Sequence, residues 1–171
     1  MRVYLTGFMG SGKTTVGRLL AARSGVPFVD LDREIELRAG MTVREIFERQ
    51  GEPAFREMEA EALRETLAYP DVVVATGGGT MGFETNSRLI GASGLSIWLN
   101  PPFATIASRI GGLGKADRPL FKDETQALAL YRERLPAYRR ADLTIDVAPT
   151  EGPEEIAARI ALLIGNRRCA T

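Results

Sequence analysis

Gly7-Phe8-Met9-Gly10-Ser11-Gly12-Lys13-Thr14 fits G-x-x-x-x-G-K-[ST], the spacing of a phosphate-binding P-loop. Its flanks suit that reading. The apolar run Val3-Tyr4-Leu5 before it has the form of a buried strand. Val16, Leu19 and Leu20 after it recur as one helix face. A loop between a strand and a helix can aim backbone N–H groups and a positive helix end at phosphate. Gly10, Ser11, Gly12, Lys13, Thr14 and Thr15 are therefore the candidate phosphate contacts. Lys13 would reach the terminal phosphates and the Thr14 hydroxyl would ligate Mg²⁺, the alternative being an ordinary glycine turn.

Working outward, strand and helix signals alternate. Gly25 stops the first helix. Pro27-Phe28-Val29-Asp30 reads as a short strand, and a helical pattern begins near Asp32. Thr42-Val43-Arg44-Glu45 has capping-box form and starts a second short helix. A longer helix covers about Ala54 to Leu67, with Phe55, Met58, Ala62 and Leu63 on one face. Val72 to Ala75 is the most strand-like run, and it ends in Thr76-Gly77-Gly78-Gly79. Leu95 to Leu99 is a strand and Phe103 to Arg109 a helix. Gly111, Gly112 and Gly114, with charged residues and no apolar period up to Pro119, predict a mobile loop. Asp123 with Gln126 opens a helix bearing Tyr131, Arg134 and Tyr138. Asp142 to Val147 is the last strand, and Pro153 starts a helix with Ile156, Ile160, Leu163 and Ile164 on one side. Such alternation predicts an α/β fold, a parallel sheet covered on both faces.

Composition narrows the chemistry. The chain has 171 residues, 44% hydrophobic and 26% charged, which suits one compact domain. Lys plus Arg equals Asp plus Glu at 22 each, so nothing calls for a nucleic-acid or membrane partner. There is no histidine, hence no histidine base or metal ligand, and Cys169 alone excludes an intrachain disulfide. No apolar run nears the roughly 18 residues of a membrane span, and no signal-peptide pattern precedes the first strand, so a cytoplasmic protein is expected.

Phosphoryl transfer needs an acid near the metal, a pocket for the acceptor and cations for the transferring charge. Parallel sheets place ligands beyond the carboxyl ends of their strands. The second strand ends in Asp30-Leu31-Asp32, two carboxylates close to the P-loop. One can serve Mg²⁺ and the other an acceptor hydroxyl, although from spacing alone Asp32 reads equally well as a helix N-cap. Gly77-Gly78-Gly79 at a strand's carboxyl end suits a binding loop that approaches its ligand closely. Arg56 and Arg134, by helical position alone, read as solvated surface charges.

Taken together, these segments resemble the shikimate kinase family. The likeness runs over nearly the whole chain and in family order: the P-loop, Asp30-Leu31-Asp32, Thr42-Val43-Arg44-Glu45-Ile46-Phe47, Gly51-Glu52, Phe55-Arg56, the triple glycine, Arg118-Pro119-Leu120, and Glu133-Arg134 through Tyr138. The P-loop is generic; Phe-Arg, triple glycine and Arg-Pro-Leu in combination are far more specific.

The resemblance implies a three-layer α/β/α P-loop kinase fold in one domain, with a mainly parallel five-stranded sheet and a mobile lid over about 111–122. It implies a monomer that transfers the γ-phosphate of ATP to the 3-hydroxyl of shikimate, with Mg²⁺. Lys13, Asp32 and Arg118 are the implied catalytic residues, Lys13 and Arg118 at the phosphate and Asp32 at the reacting hydroxyl. Thr14 and Asp30 would serve the metal. Arg56 and Arg134 would clamp the substrate carboxylate, as guanidinium forks can, and Gly77, Gly78 and Gly79 would meet the substrate. Phe47 and Phe55 would wall the pocket, and Glu59 would orient Arg56. Arg109, with the loop from Ala148 to Pro153, would lie beside adenine. Lys115 stands where the resemblance would favour another arginine, and Thr80 to Asn86 matches it less closely. The alternatives are a related kinase of another hydroxy acid such as gluconate, and a non-catalytic nucleotide-binding relative. The latter's signature would be loss of Asp32, Arg56 or Arg134, and all three are present.

Overall fold

The structure, a computed structural model, describes residues 1–112 and 123–168. Arg118, Lys115, Cys169 and nearly all of the expected lid lie outside the described residues. Five strands form one sheet in the order β2-β3-β1-β4-β5, every neighbouring pair parallel. They are β1 (Arg2–Thr6), β2 (Phe28–Asp30), β3 (Val72–Ala75), β4 (Gly94–Asn100) and β5 (Leu143–Asp146). The inner strands β1, β3 and β4 are buried on both faces and mostly apolar, whereas the edge strands β2 and β5 are only partly buried. Val3 and Leu5 point to one side with Val73 and Ile97, where helices α1 (Lys13–Ser24) and α7 (Pro153–Arg168) cover them. Tyr4, Val72 and Val74 point to the other, against α2 (Leu31–Ala39), α3 (Val43–Glu65) and α4 (Glu84–Ser93). A third cluster, Phe8, Trp98, Ile106 and Tyr138, joins the P-loop to α5 (Phe103–Gly112) and α6 (Glu124–Tyr138).

Local sequence explains several boundaries. Gly25 closes α1 in the left-handed region (φ 64°). Thr42 and Glu45 form the expected capping box. Asp123 caps α6 by accepting from the Gln126 N–H at 2.8 Å. The region read as two helices is one assigned span broken at Gly51 (φ 83°, ψ 168°), a conformation that a β-carbon would strain. The break puts Pro53 in the opening turn of the second half, where its missing N–H costs nothing. That half swings Phe55, Arg56 and Glu59 toward the sheet's carboxyl edge. It ends at Glu65, with a 3₁₀ turn over Thr66–Ala68, slightly short of the expected helix end. The 3₁₀ turn Thr80–Gly82 and α4 fill a stretch with no sequence assignment, because Thr85, Asn86 and Ser87 are weak helix formers and no clear apolar period marks its start. Among the described residues no helix is long and apolar enough to cross a membrane.

Candidate active site

The carboxyl ends of β1, β2 and β3 open into one cleft of about 330 Å³. Lys13, Thr14, Asp30, Asp32, Arg56 and Arg134 all line it.

At the phosphate end the loop turns through Gly7, Gly10 and Gly12, all at positive φ. The Ser11 N–H donates to the Phe8 carbonyl at 3.1 Å. Gly12 is the N-cap of α1 and brings no capping side chain. The first amides of the helix are thus left to a ligand, as an anion site requires. Lys13 Nζ donates to the carbonyls of Gly7 (2.8 Å) and Phe8 (3.0 Å), across the mouth of the loop. Ser11 Oγ is buried with no partner among the described residues. A buried hydroxyl without a partner is costly, and a phosphate oxygen would satisfy it, so the loop fits a nucleotide. Thr15 is exposed on the first turn of α1. Arg109, on α5, donates to the Gly10 carbonyl at 2.9 Å. It shares a second cavity of about 440 Å³ with Thr15, Glu151 and Pro153.

Thr14 Oγ1 donates to Asp30 Oδ2 at 2.6 Å, so the two expected metal residues are already in contact. No group of three or more acids or thiols with metal-binding geometry occurs among the described residues. Two protein oxygens suit Mg²⁺, which retains waters and takes further oxygens from phosphate. Asp30 also caps α2, its Oδ1 accepting from the Arg33 N–H at 3.4 Å. The capping role left open for Asp32 therefore belongs to Asp30. Asp32 sits in the first turn of α2, half-buried against the cleft. Burial pushes its carboxyl up to about 6; Asp30, Glu59 and Glu36 add to the rise and Lys13 opposes it.

Arg56 is held on all sides. Its Nε and Nη2 donate to Glu52 Oε1 at 3.1 and 2.9 Å, and its Nη1 donates to Glu59 Oε2 at 3.0 Å. Glu59 is wholly buried, which removes the alternative of a solvated i, i+3 pair. The rings of Phe55 and Phe83 lie 5.2 and 4.9 Å from Arg56 Cζ. A guanidinium has five N–H donors; among the described residues these bonds use three, and two remain for an incoming oxyanion. Phe47 and Phe55 pack at 4.8 Å and wall the cleft.

The triple glycine makes this approach possible. A β-carbon at Gly77 would come within 2.5 Å of Glu59 Oε1, and one at Gly79 within 2.8 Å of Arg56 Nη2. At Gly78 it would stand 3.0 Å from Arg134 Nη1. Side chains at Gly77 and Gly79 would displace the arginine and its carboxylate. Arg134 comes from α6, its guanidinium 5.8 Å from the Phe8 ring. One turn on, the buried Tyr138 hydroxyl donates to the Gly78 carbonyl at 2.6 Å and ties α6 to the glycine turn. Burial holds that phenol far above its ordinary range. Glu52 and this Tyr138 bond were missed at the sequence level. The Glu52–Arg56 spacing of four was a usable signal, whereas nothing local marks the Tyr138 contact across 60 residues.

The structure thus brings together Lys13, Thr14, Asp30, Asp32, Arg56, the three glycines and Arg134, and sets Arg109 beside the P-loop. A family model described as shikimate kinase matches residues 9–164. A shikimate kinase of Geobacter sulfurreducens is 46% identical, the match spanning 95% of this chain and 90% of that one. One from Salinibacter ruber is 41% identical over 96% of this chain and 84% of its own. A solved Acinetobacter baumannii shikimate kinase in complex with shikimate aligns with a TM-score of 0.90 at 36% identity, covering 97% of this chain and 93% of that one. A likeness this long takes in the sheet, the glycine turn and both arginine-bearing helices at once, and it places the chain in the shikimate kinase family, as an ATP-dependent phosphotransferase.

Proposed function

We propose that this chain transfers the γ-phosphoryl group of ATP to the 3-hydroxyl of shikimate, giving 3-phosphoshikimate and ADP. The observation that carries the reading is one cleft lined by the Lys13 ammonium, the Arg56 and Arg134 guanidinium groups and the Asp32 carboxylate. Arg56 and Arg134 hold the acceptor's carboxylate as a two-armed clamp, which fixes where its hydroxyls can lie. Asp32 accepts a hydrogen bond from the reacting hydroxyl. A carboxyl pushed up to about 6 is ionised at neutral pH yet basic enough to draw a proton as phosphorus–oxygen bonding develops. Lys13 and the amides of the P-loop neutralise charge on the transferring group, and the backbone of Gly77 to Gly79 bounds the acceptor from below. Arg118 is assigned to the phosphates by the family resemblance of Arg118-Pro119-Leu120. Thr14 and Asp30 hold Mg²⁺, which when bound supplies charge neutralisation for the phosphate oxygens. Arg109 and the 148–153 loop flank adenine. Most of the rate comes from positioning and electrostatics, because phosphoryl transfer asks for little covalent help from the protein.

The test is a coupled ADP-release assay with shikimate, quinate and gluconate side by side, with and without Mg²⁺. Strong turnover with shikimate alone is expected. Preferred turnover of gluconate would overturn the acceptor, and ADP release unaffected by chelation would overturn the metal.

A further inference from the structure

Two side chains of the Thr80 to Asn86 segment support the clamp. Thr80 is completely buried. Its Oγ1 lies 2.6 Å from Glu59 Oε1 and 3.0 Å from the Gly77 carbonyl. A threonine hydroxyl carries one proton, and the shorter contact is to an acid, so the proton goes to Glu59 in a charge-assisted bond. Among the described residues Glu59 has two hydrogen-bond partners, Arg56 on Oε2 and Thr80 on Oε1. Phe83 closes the turn. Its ring backs Arg56 at 4.9 Å, and it lines a cavity of about 560 Å³ behind the clamp, whereas Phe55 faces the catalytic cleft.

We propose that Thr80 and Phe83 are positioning residues for recognition of the acceptor carboxylate, Thr80 acting through Glu59 and Phe83 through the face of Arg56. The proposal rests on the reading of Arg56 as a clamp. Two N–H groups can meet both oxygens of a carboxylate only if the guanidinium plane is fixed. Glu59 fixes its edge, and the rings of Phe55 and Phe83 pack against it. Without the Thr80 hydroxyl, Glu59 Oε1 is left buried with no donor. The carboxylate then gains by rotating both oxygens onto Arg56, which turns the plane away from the acceptor. Neither Thr80 nor Phe83 reaches the phosphate end, so the effect is confined to the acceptor.

The experiment is steady-state kinetics on the full chain, with shikimate and ATP varied separately. Thr80→Val keeps the shape and removes the hydroxyl; it should raise KM for shikimate about tenfold. The same variant should leave kcat and KM for ATP within about threefold of the parent. Thr80→Ser should restore the shikimate KM. In a Glu59→Gln background, Thr80→Val should add nothing, since its route to Arg56 has lost its charge. Phe83→Leu, at an exposed site, should raise KM for shikimate about threefold, again without touching ATP. Parental shikimate KM in both Thr80→Val and Phe83→Leu overturns the proposal, as does a Thr80→Val defect spread equally over both substrates. A Thr80→Ser variant as impaired as Thr80→Val also overturns it. Should Thr80→Val not fold, Phe83→Leu decides: a selective rise supports the proposal and a parental KM overturns it. Arg56→Lys, measured alongside, separates the two ideas. If it leaves shikimate binding unchanged, the clamp itself is wrong; if it weakens shikimate while the Thr80 and Phe83 variants do not, only the supporting role fails.

Discussion

Replacing Arg56 should cost stability as well as substrate binding, and the two losses should be separable. Glu59 is fully buried and the Arg56 side chain is 13% exposed, so their pair is shielded from solvent. Glu52, the other partner, is 53% exposed, and a pair of that kind contributes about 0–1 kcal/mol. Nearly all the cost of Arg56→Met therefore comes from Glu59, left charged in a closed site. Breaking a buried pair from one side costs about 3–5 kcal/mol. For a chain of this length that lowers Tm by roughly 6–20 °C, at about 2–4 °C per kcal/mol. Adding Glu59→Gln removes the stranded charge while keeping volume and the contact to Thr80. The double variant should recover all but about 1 kcal/mol of the loss. Shikimate binding should not recover, because the missing fork is itself worth about 2–5 kcal/mol, or at least about 30-fold in KM. KM for ATP should stay near the parent's in both variants. Urea unfolding followed by circular dichroism gives the stabilities, and the coupled assay gives the constants. An Arg56→Met protein as stable as its parent, or one that Glu59→Gln does not rescue, would refute the reasoning about the buried pair. Recovery of shikimate KM in the double variant would refute the clamp.

Two further predictions concern the phosphate half of the cleft. The Asp32 carboxyl lies at about 6 in the fold against 3.8 as its ordinary value. Between those values the folded protein holds more protons than the unfolded chain, so this contribution to stability is complete below 3.8 and is lost as pH rises through 6. A rise of that size is worth about 3 kcal/mol. In metal-free buffer without ligands, Asp32→Asn should therefore unfold at higher urea than the parent at about pH 8, with the gap closing below about pH 4. A pH-independent gap would remove the electrostatic account. The same variant should lose at least about 100-fold in turnover with little change in ATP binding, and an unaffected rate would demote Asp32 to a structural residue. Lys13→Ala should retain its circular dichroism spectrum and lose at least about 100-fold in kcat; near-normal turnover in a folded variant would exclude Lys13 from the mechanism.

Much of this molecule was legible in the chain itself. The strands announce themselves because burial on both faces demands apolar runs such as Val72 to Ala75, and the helix ends because Gly25, Thr42-Glu45 and Asp123 act within one turn. The P-loop is equally local: its glycines, lysine and threonine work within one short loop, so spacing alone specifies the chemistry. Helix α4 gives a weak local signal, because Thr85, Asn86, Ser87 and Gly91 dilute the propensity of Glu84, Arg88 and Leu89; Ile90 and Asn86 packing inward hold it in place. The roles of arginines and acids are another matter. Asp30 and Asp32 flank a single leucine and carry the same side chain, yet one caps a helix and touches Thr14 while the other lies half-buried against the cleft. Arg56 and Arg134 look like ordinary surface charges until the break at Gly51 and the Tyr138 bond to Gly78 bring α3 and α6 to the same glycine turn. Burial decides whether Glu59 is a solvated partner or a fixed anchor, and burial is a property of what packs across the sheet. Most strands, several helix ends and the phosphate loop could be read from the chain, because those depend on neighbours within a turn or a strand. Which charged side chains act together is settled by packing, because electrostatics and hydrogen bonding depend on distances across the fold.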